Sequence, residues 1–190
     1  MKLPGRAQGA LMSLLAACGS PQLPQLPPPD PGRPITVARA REWATARLGY
    51  CQAPNHTRDF DGDCQTTCDR QDNLAWDGYR SDCSGLVSYA WQLPAPGLVT
   101  RDFAPYRVGL THEIRAVELR PGDAVNNRTH MMLFAGWTAR PYVARFVEEP
   151  GCHSIWPYAR EFEALVRPSD STIIVFGKGR YTAIRNDDAP

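Results

Sequence analysis

Six cysteines, at positions 18, 51, 64, 68, 83 and 152, constrain this chain more than any other feature. A proline-dense run, residues 19–34 (GSPQLPQLPPPDPGRP), separates the first from the other five. Proline at that density removes backbone donors and favours extended polyproline II, so the run reads as a linker. Residues 35–190 then form one compact domain with a core of its own. That domain holds an odd number of cysteines. In an oxidising compartment such a count implies pairs plus one free thiol. Cys51, Cys64, Cys68 and Cys152 are the disulfide candidates, with their pairing open, and Cys83 is the thiol left free. Zinc is the competing use, because three residues stand between Cys64 and Cys68. No second ligand pair of matching spacing lies nearby, so disulfides are preferred and no metal is expected. Asp59, Asp61 and Asp63 hint at a calcium loop, but its glycine falls too early and the distal glutamate is missing, which leaves a solvated acidic turn.

Residues 1–18 read as an export leader. Lys2 and Arg6 give a positive start, and Ala7 to Ala17 is an apolar run too short to span a bilayer. It ends in Leu15-Ala16-Ala17-Cys18, which resembles a bacterial lipobox. That resemblance implies a lipid on Cys18 and an extracytoplasmic, membrane-anchored lipoprotein in the periplasm or cell envelope. Lysine plus arginine number 21 against 20 aspartates and glutamates, a net charge of +1 that gives no reason to expect a nucleic-acid partner.

Along the domain the hydrophobic period changes. Val37, Ala40, Ala44 and Leu48 share one helical face after a possible cap at Thr36, and Gly49 is placed to end that helix. Residues 51–80 look irregular, and 82–93 read as a second helix stopped by Pro94 and Pro96. Strand patterns follow: His130 to Trp137, Tyr142 to Glu149, Thr172 to Phe176 and Tyr181 to Arg185. Helices followed by strands predict an α+β domain, with the helices packed on an antiparallel sheet.

The chemistry-bearing segment is Tyr79-Arg80-Ser81-Asp82-Cys83-Ser84-Gly85-Leu86-Val87. A thiol is a nucleophile only as thiolate, and a helix start favours negative charge. A neighbouring imidazole would favour the thiolate further. Two later segments complete a pattern: Leu119-Arg120-Pro121-Gly122-Asp123, then His130-Met131-Met132-Leu133-Phe134-Ala135-Gly136.

Together these segments resemble the NlpC-type family of cell-wall cysteine peptidases, from roughly Thr36 to Arg185. The resemblance implies a papain-like α+β fold, with Cys83 as nucleophile and His130 as base. A third polar residue on the next strand would orient the imidazole. That strand carries no histidine, so Glu148 is the choice, with Glu149 in reserve and His153 as a further candidate in a loop. Asp82, Ser84 and Tyr50 would border the substrate. The implied substrates are peptide or isopeptide bonds in peptidoglycan stem peptides, cut by a monomer without a cofactor. Two rivals stand beside this reading. One is a CHAP-type amidase on the same fold, against which the Asp-Cys-Ser-Gly-Leu-Val string argues. The other is a non-catalytic, lipid-anchored wall-binding protein.

Overall fold

The computed structural model describes residues 32–60, 62 and 64–190. The leader, the lipobox with Cys18, most of the linker, and Asp61 and Asp63 of the acidic turn lie outside the described residues.

Two α-helices are present among them, α1 (Pro34–Ala46) and α2 (Cys83–Ala90). Helix α1 starts earlier than Thr36. Pro34 occupies the first turn, where its missing N–H costs nothing, and no side chain caps the end. Thr36 is instead fully buried, and its hydroxyl donates to the Pro190 carbonyl. The helix ends at Arg47 in the left-handed conformation, before Gly49 is reached.

Seven strands follow: β1 (His112–Glu113), β2 (Ala124–Asn126), β3 (Met131–Trp137), β4 (Val143–Glu148), β5 (Arg160–Ser169), β6 (Thr172–Val175) and β7 (Gly179–Arg185). Every pairing between them is antiparallel. From β2 to β6 each strand pairs with its immediate successor, and β7 pairs with β6 on one side and with β2 on the other. Six strands therefore close into a barrel, and β1 extends β7 as a short appendage.

This closure corrects the expected α+β, papain-like arrangement of helices on a sheet. The domain is mainly a closed six-stranded antiparallel barrel with two short helices. Two features account for the difference. The ten-residue β5, where no strand was expected, supplies a full stave between β4 and β6. An extra residue in β3 between Phe134 and Gly136 then shifts the register against β4, and such a bulge bends and twists its strand. With both sides of β7 paired, the six-stranded circuit has no free edge.

Side-chain alternation sorts the barrel residues into two cores. Val125, Met132, Phe134, Ala144, Phe146, Val166, Ile173 and Ala183 fill the barrel. Ala124, Met131, Leu133, Val147 and Ile184 face outward and meet Val37, Ala40 and Trp43 of α1 and Leu86, Val87 and Ala90 of α2. Strand β3 is apolar on both faces because it divides these cores, which is why Met131 to Phe134 form an unbroken buried run.

Disulfides Cys51–Cys68 and Cys64–Cys152 leave Cys83 as the free thiol. Cys64 and Cys68 thus sit in different bridges, which removes them as a zinc pair. The first bridge closes the irregular segment on itself, and the second ties it to the loop after β4. Two disulfides suit an oxidising, extracytoplasmic environment. No helix among the described residues is long and apolar enough to cross a membrane.

Candidate active site

Cys83 is the first residue of α2. Asp82 caps the helix by accepting the Gly85 N–H at 2.6 Å. The Asp82 carboxyl also accepts the Ser84 hydroxyl at 3.2 Å and pairs with Arg80 at 3.3 Å. Asp82 and Ser84, expected at the substrate, are both buried and here hold each other and the helix start. The chain turns so tightly before the thiol that a Cβ on Gly85 would lie 1.9 Å from the Arg80 carbonyl oxygen. Only glycine fits there.

The irregular segment is fastened to this turn. Buried Arg70 donates to the Ser81 hydroxyl at 2.7 Å, and Ser81 donates onward to the Gly49 carbonyl at 2.7 Å. An isolated antiparallel bridge pairs Cys51 with Ser81, which brings Tyr50 across from Asp82. The Tyr50 hydroxyl accepts from Gln52 at 2.9 Å.

His130 immediately precedes β3. The Asn127 side chain accepts the N–H groups of Thr129 and His130 at 3.0 and 2.8 Å, an Asx turn that sets the backbone entering the strand. The imidazole Nε2 lies 3.0 Å from Glu148 Oε2. Glu148 is fully buried at the end of β4. Its Oε1 accepts Arg160 Nη2 at 2.7 Å and Nε at 3.0 Å, and Lys178 Nζ reaches both oxygens at 2.6 and 2.9 Å. Burial alone would push the Glu148 carboxyl up. Hydrogen bonds from His130, Lys178 and Arg160 overcome it and hold the group at about 2, so it stays ionised.

These groups converge because alternate strands run in opposite directions. The start of β3, the end of β4, the start of β5 and the β6–β7 turn all lie at one end of the barrel. Tyr181 of β7 joins them there. Its buried ring stands edge-on to His130 at 6.3 Å, and burial, helped by the charge of Glu148, raises its phenol. Sequence reasoning missed Tyr181, Lys178 and Arg160. The first looks like any inward strand aromatic. Lys178 carried one usable signal, being the only lysine of the chain besides Lys2.

The thiol does not match the expectation of a favoured thiolate. Burial, and next the charge of Asp82, push Cys83 up to about 12. The backbone N–H groups of Met131 and Ser84 and the charge of Arg80 offset this only in part. The Met131 N–H that faces the sulfur belongs to the residue after His130, so thiol and histidine are brought to one place. No hydrogen bond joins them among the described residues.

Glu149 turns away from this cluster. It is fully buried, neither oxygen has a well-formed hydrogen bond, and its neighbours are Asp82, Arg70 and the Ala159 backbone N–H, which is bonded to the Leu48 carbonyl. Burial, then repulsion from Glu148 and Asp82, raise it well above the ordinary carboxylate value. His153 is exposed in the loop after β4. The described residues offer one cluster of metal-ligand type, Cys51, Asp59 and Cys68, and its two sulfurs are consumed in a disulfide.

Comparison of the chain with protein-family models, with curated proteins and with solved structures gave no match.

Proposed function

We propose that the protein is a cysteine-dependent hydrolase of peptide or isopeptide bonds in peptidoglycan stem peptides, with Cys83 as nucleophile, His130 as base and Glu148 as orienter. The observation that carries the reading is the His130–Glu148 contact of 3.0 Å, together with the free Cys83 thiol at a helix start facing the N–H of Met131, the residue after His130. The stem-peptide substrate comes from the motif resemblance alone. With Nε2 engaged by Glu148, Nδ1 is the imidazole nitrogen left to exchange a proton with sulfur.

In this mechanism His130 removes the thiol proton as sulfur attacks the carbonyl carbon. A carbon–sulfur bond forms, the carbon–nitrogen bond breaks, and the proton passes to the departing amine. Water, deprotonated by the same imidazole, then attacks the thioester carbon: a carbon–oxygen bond forms, the carbon–sulfur bond breaks, and the proton returns to the Cys83 sulfur. In this reading the backbone N–H of Cys83, in the first turn of α2, receives the negative oxygen. Burial raises the resting thiol, so in this mechanism His130 generates the thiolate as the substrate is attacked.

The test is incubation of the protein with purified wall fragments, with products weighed by mass spectrometry. Cys83→Ala and His130→Ala are each expected to abolish cleavage in a folded protein, and their effects to be non-additive. Wild-type cleavage by folded Cys83→Ala refutes the proposal. Product masses also separate stem-peptide cleavage from cutting at the sugar–peptide amide. The buried, raised thiol favours one second reading, a wall-binding protein without turnover, for which wild type would bind fragments and release no product.

A further inference from the structure

We propose that Lys178 and Arg160 are positioning residues, which from the β6–β7 turn and the start of β5 fix the Glu148 carboxylate so that Oε2 holds the His130 ring. This inference rests on the Cys83–His130–Glu148 reading and assigns roles to residues outside it.

The argument begins with how many bonds a carboxylate can accept. Two oxygens offer about four lone-pair sites. In Glu148 the sites on Oε1 are taken by both Arg160 nitrogens and by Lys178, and Oε2 is shared between Lys178 and His130. Arg160 does not use its fork to span both oxygens, the usual arrangement of an arginine–carboxylate pair. It places Nε and Nη2 on Oε1 alone, and that leaves Oε2 turned to the imidazole. Lys178, reaching both oxygens, fixes the rotation about the terminal carbon–carbon bond.

Both cations are themselves seated. The Arg160 guanidinium carbon and the Lys178 ammonium lie 5.4 and 5.2 Å from the centre of the Phe162 ring, close enough for cation–π attraction. One aromatic side chain of β5 therefore sets the spacing of the two groups that grip Glu148. An ion cluster kept for stability alone is a poor explanation. Buried ion pairs are often no better than apolar packing of the same volume, and two cations on one carboxylate leave surplus charge. A rigid carboxylate beside a histidine has a use that needs both partners. It also lets the orienter stay charged in a fully buried place.

The experiment uses the full chain and the variants Lys178→Met, Lys178→Arg, Arg160→Met and Arg160→Lys. Two readouts run in parallel. The first is hydrolysis of wall fragments, where Lys178→Met is expected to lower kcat by about tenfold or more with KM changed less than about twofold. The acid limb of its pH profile should move to higher pH, and Lys178→Arg should recover most of the loss. The second readout is nuclear magnetic resonance without substrate. In Lys178→Met the Glu148 carboxyl should titrate well above 2, and the His130 nitrogen shifts should lose the signature of a fixed Nε2 hydrogen bond. Unchanged kcat together with unchanged His130 shifts in folded Lys178→Met overturns the inference. So does an equal loss in Lys178→Met and Lys178→Arg with an unmoved pH profile, the result of a merely structural role. If wild type cleaves nothing, the proposed function falls and the resonance data alone decide the clamp. Should Lys178→Met not fold, Arg160→Lys carries the same tests, since it keeps the charge and removes the fork.

Discussion

Glu148 and Glu149 are adjacent in the chain, yet one is gripped by His130, Arg160 and Lys178 while the other is buried without a well-formed hydrogen bond. Strand geometry turns them to opposite sides, and their titrations run in opposite senses. Glu148 is lowered from 4.5 to about 2, so its stabilising effect is complete above pH 4.5 and is lost as pH falls toward 2. At neutral pH that is about 3 kcal/mol. Glu149 is raised, so stability falls as pH climbs from 4.5 toward its folded value. Glu148→Gln is therefore expected to unfold more easily than wild type at pH 7, with the difference vanishing near pH 2. Glu149→Gln should melt higher than wild type at pH 8 and equal it near pH 4. Melting curves across pH check both, and matching signs for the two variants would refute the assignment.

A buried thiol held near 12 should alkylate slowly. In the native protein without substrate, iodoacetamide is expected to modify Cys83 more slowly than free cysteine at pH 8. The rate should keep climbing with pH past 10, with no plateau between 6 and 8. A plateau there, followed by mass spectrometry, would show a preformed thiolate and refute the raised thiol.

Gly85 provides a test of the turn that presents the nucleophile. A methyl group there would collide with the Arg80 carbonyl, a backbone atom that cannot swing aside. Gly85→Ala is expected to cost about 1–3 kcal/mol in chemical denaturation and to move the start of α2 away from Met131. A variant as stable as wild type would mean that the turn is looser than described.

How much of this was legible depended on range in the chain. The start of α2 was readable because Asp82, Cys83 and Gly85 are local, and capping needs only the next three residues. Strands β3, β4, β6 and β7 were readable from their apolar runs, within a residue or two of their ends. Barrel closure was not. It depends on Thr182 pairing with both Thr172 and Asn126, partners far apart in sequence. Strand β5 escaped because Arg160, Glu161, Glu163 and Arg167 break its apolar pattern, and Phe162, Leu165 and Val166 match a helical face as well. The three residues of β2 are too few to show a period.

At the site, Cys83, His130 and Glu148 could be singled out by type and position. Their surroundings could not. The raised thiol follows from burial by elements contributed from the whole chain. The clamp on Glu148 joins residues from two strands, a turn and the loop before β3, and no local motif announces such a convergence.

The two disulfides close loops of unequal size, and that difference is measurable. Cys51–Cys68 spans 17 residues and Cys64–Cys152 spans 88. In the chain-entropy treatment a crosslink stabilises by restricting the unfolded chain, more so for the longer loop. That gives about 3 kcal/mol for the first and about 4.6 kcal/mol for the second. Loop closure alone therefore makes the Cys64–Cys152 bridge the larger contributor. Burial pulls the other way, since Cys51 and Cys68 are fully buried while Cys64 and Cys152 are partly exposed. Introducing serine hydroxyls at two buried positions adds a desolvation cost of about 1–3 kcal/mol each where no partner is found. Replacing each pair by alanine removes that polar term and leaves the loop and packing contributions. In urea unfolding the alanine pair at 64 and 152 is expected to be the less stable by about 1–2 kcal/mol. The reverse order would mean that packing around Cys51 and Cys68, against Ala53, outweighs the longer loop.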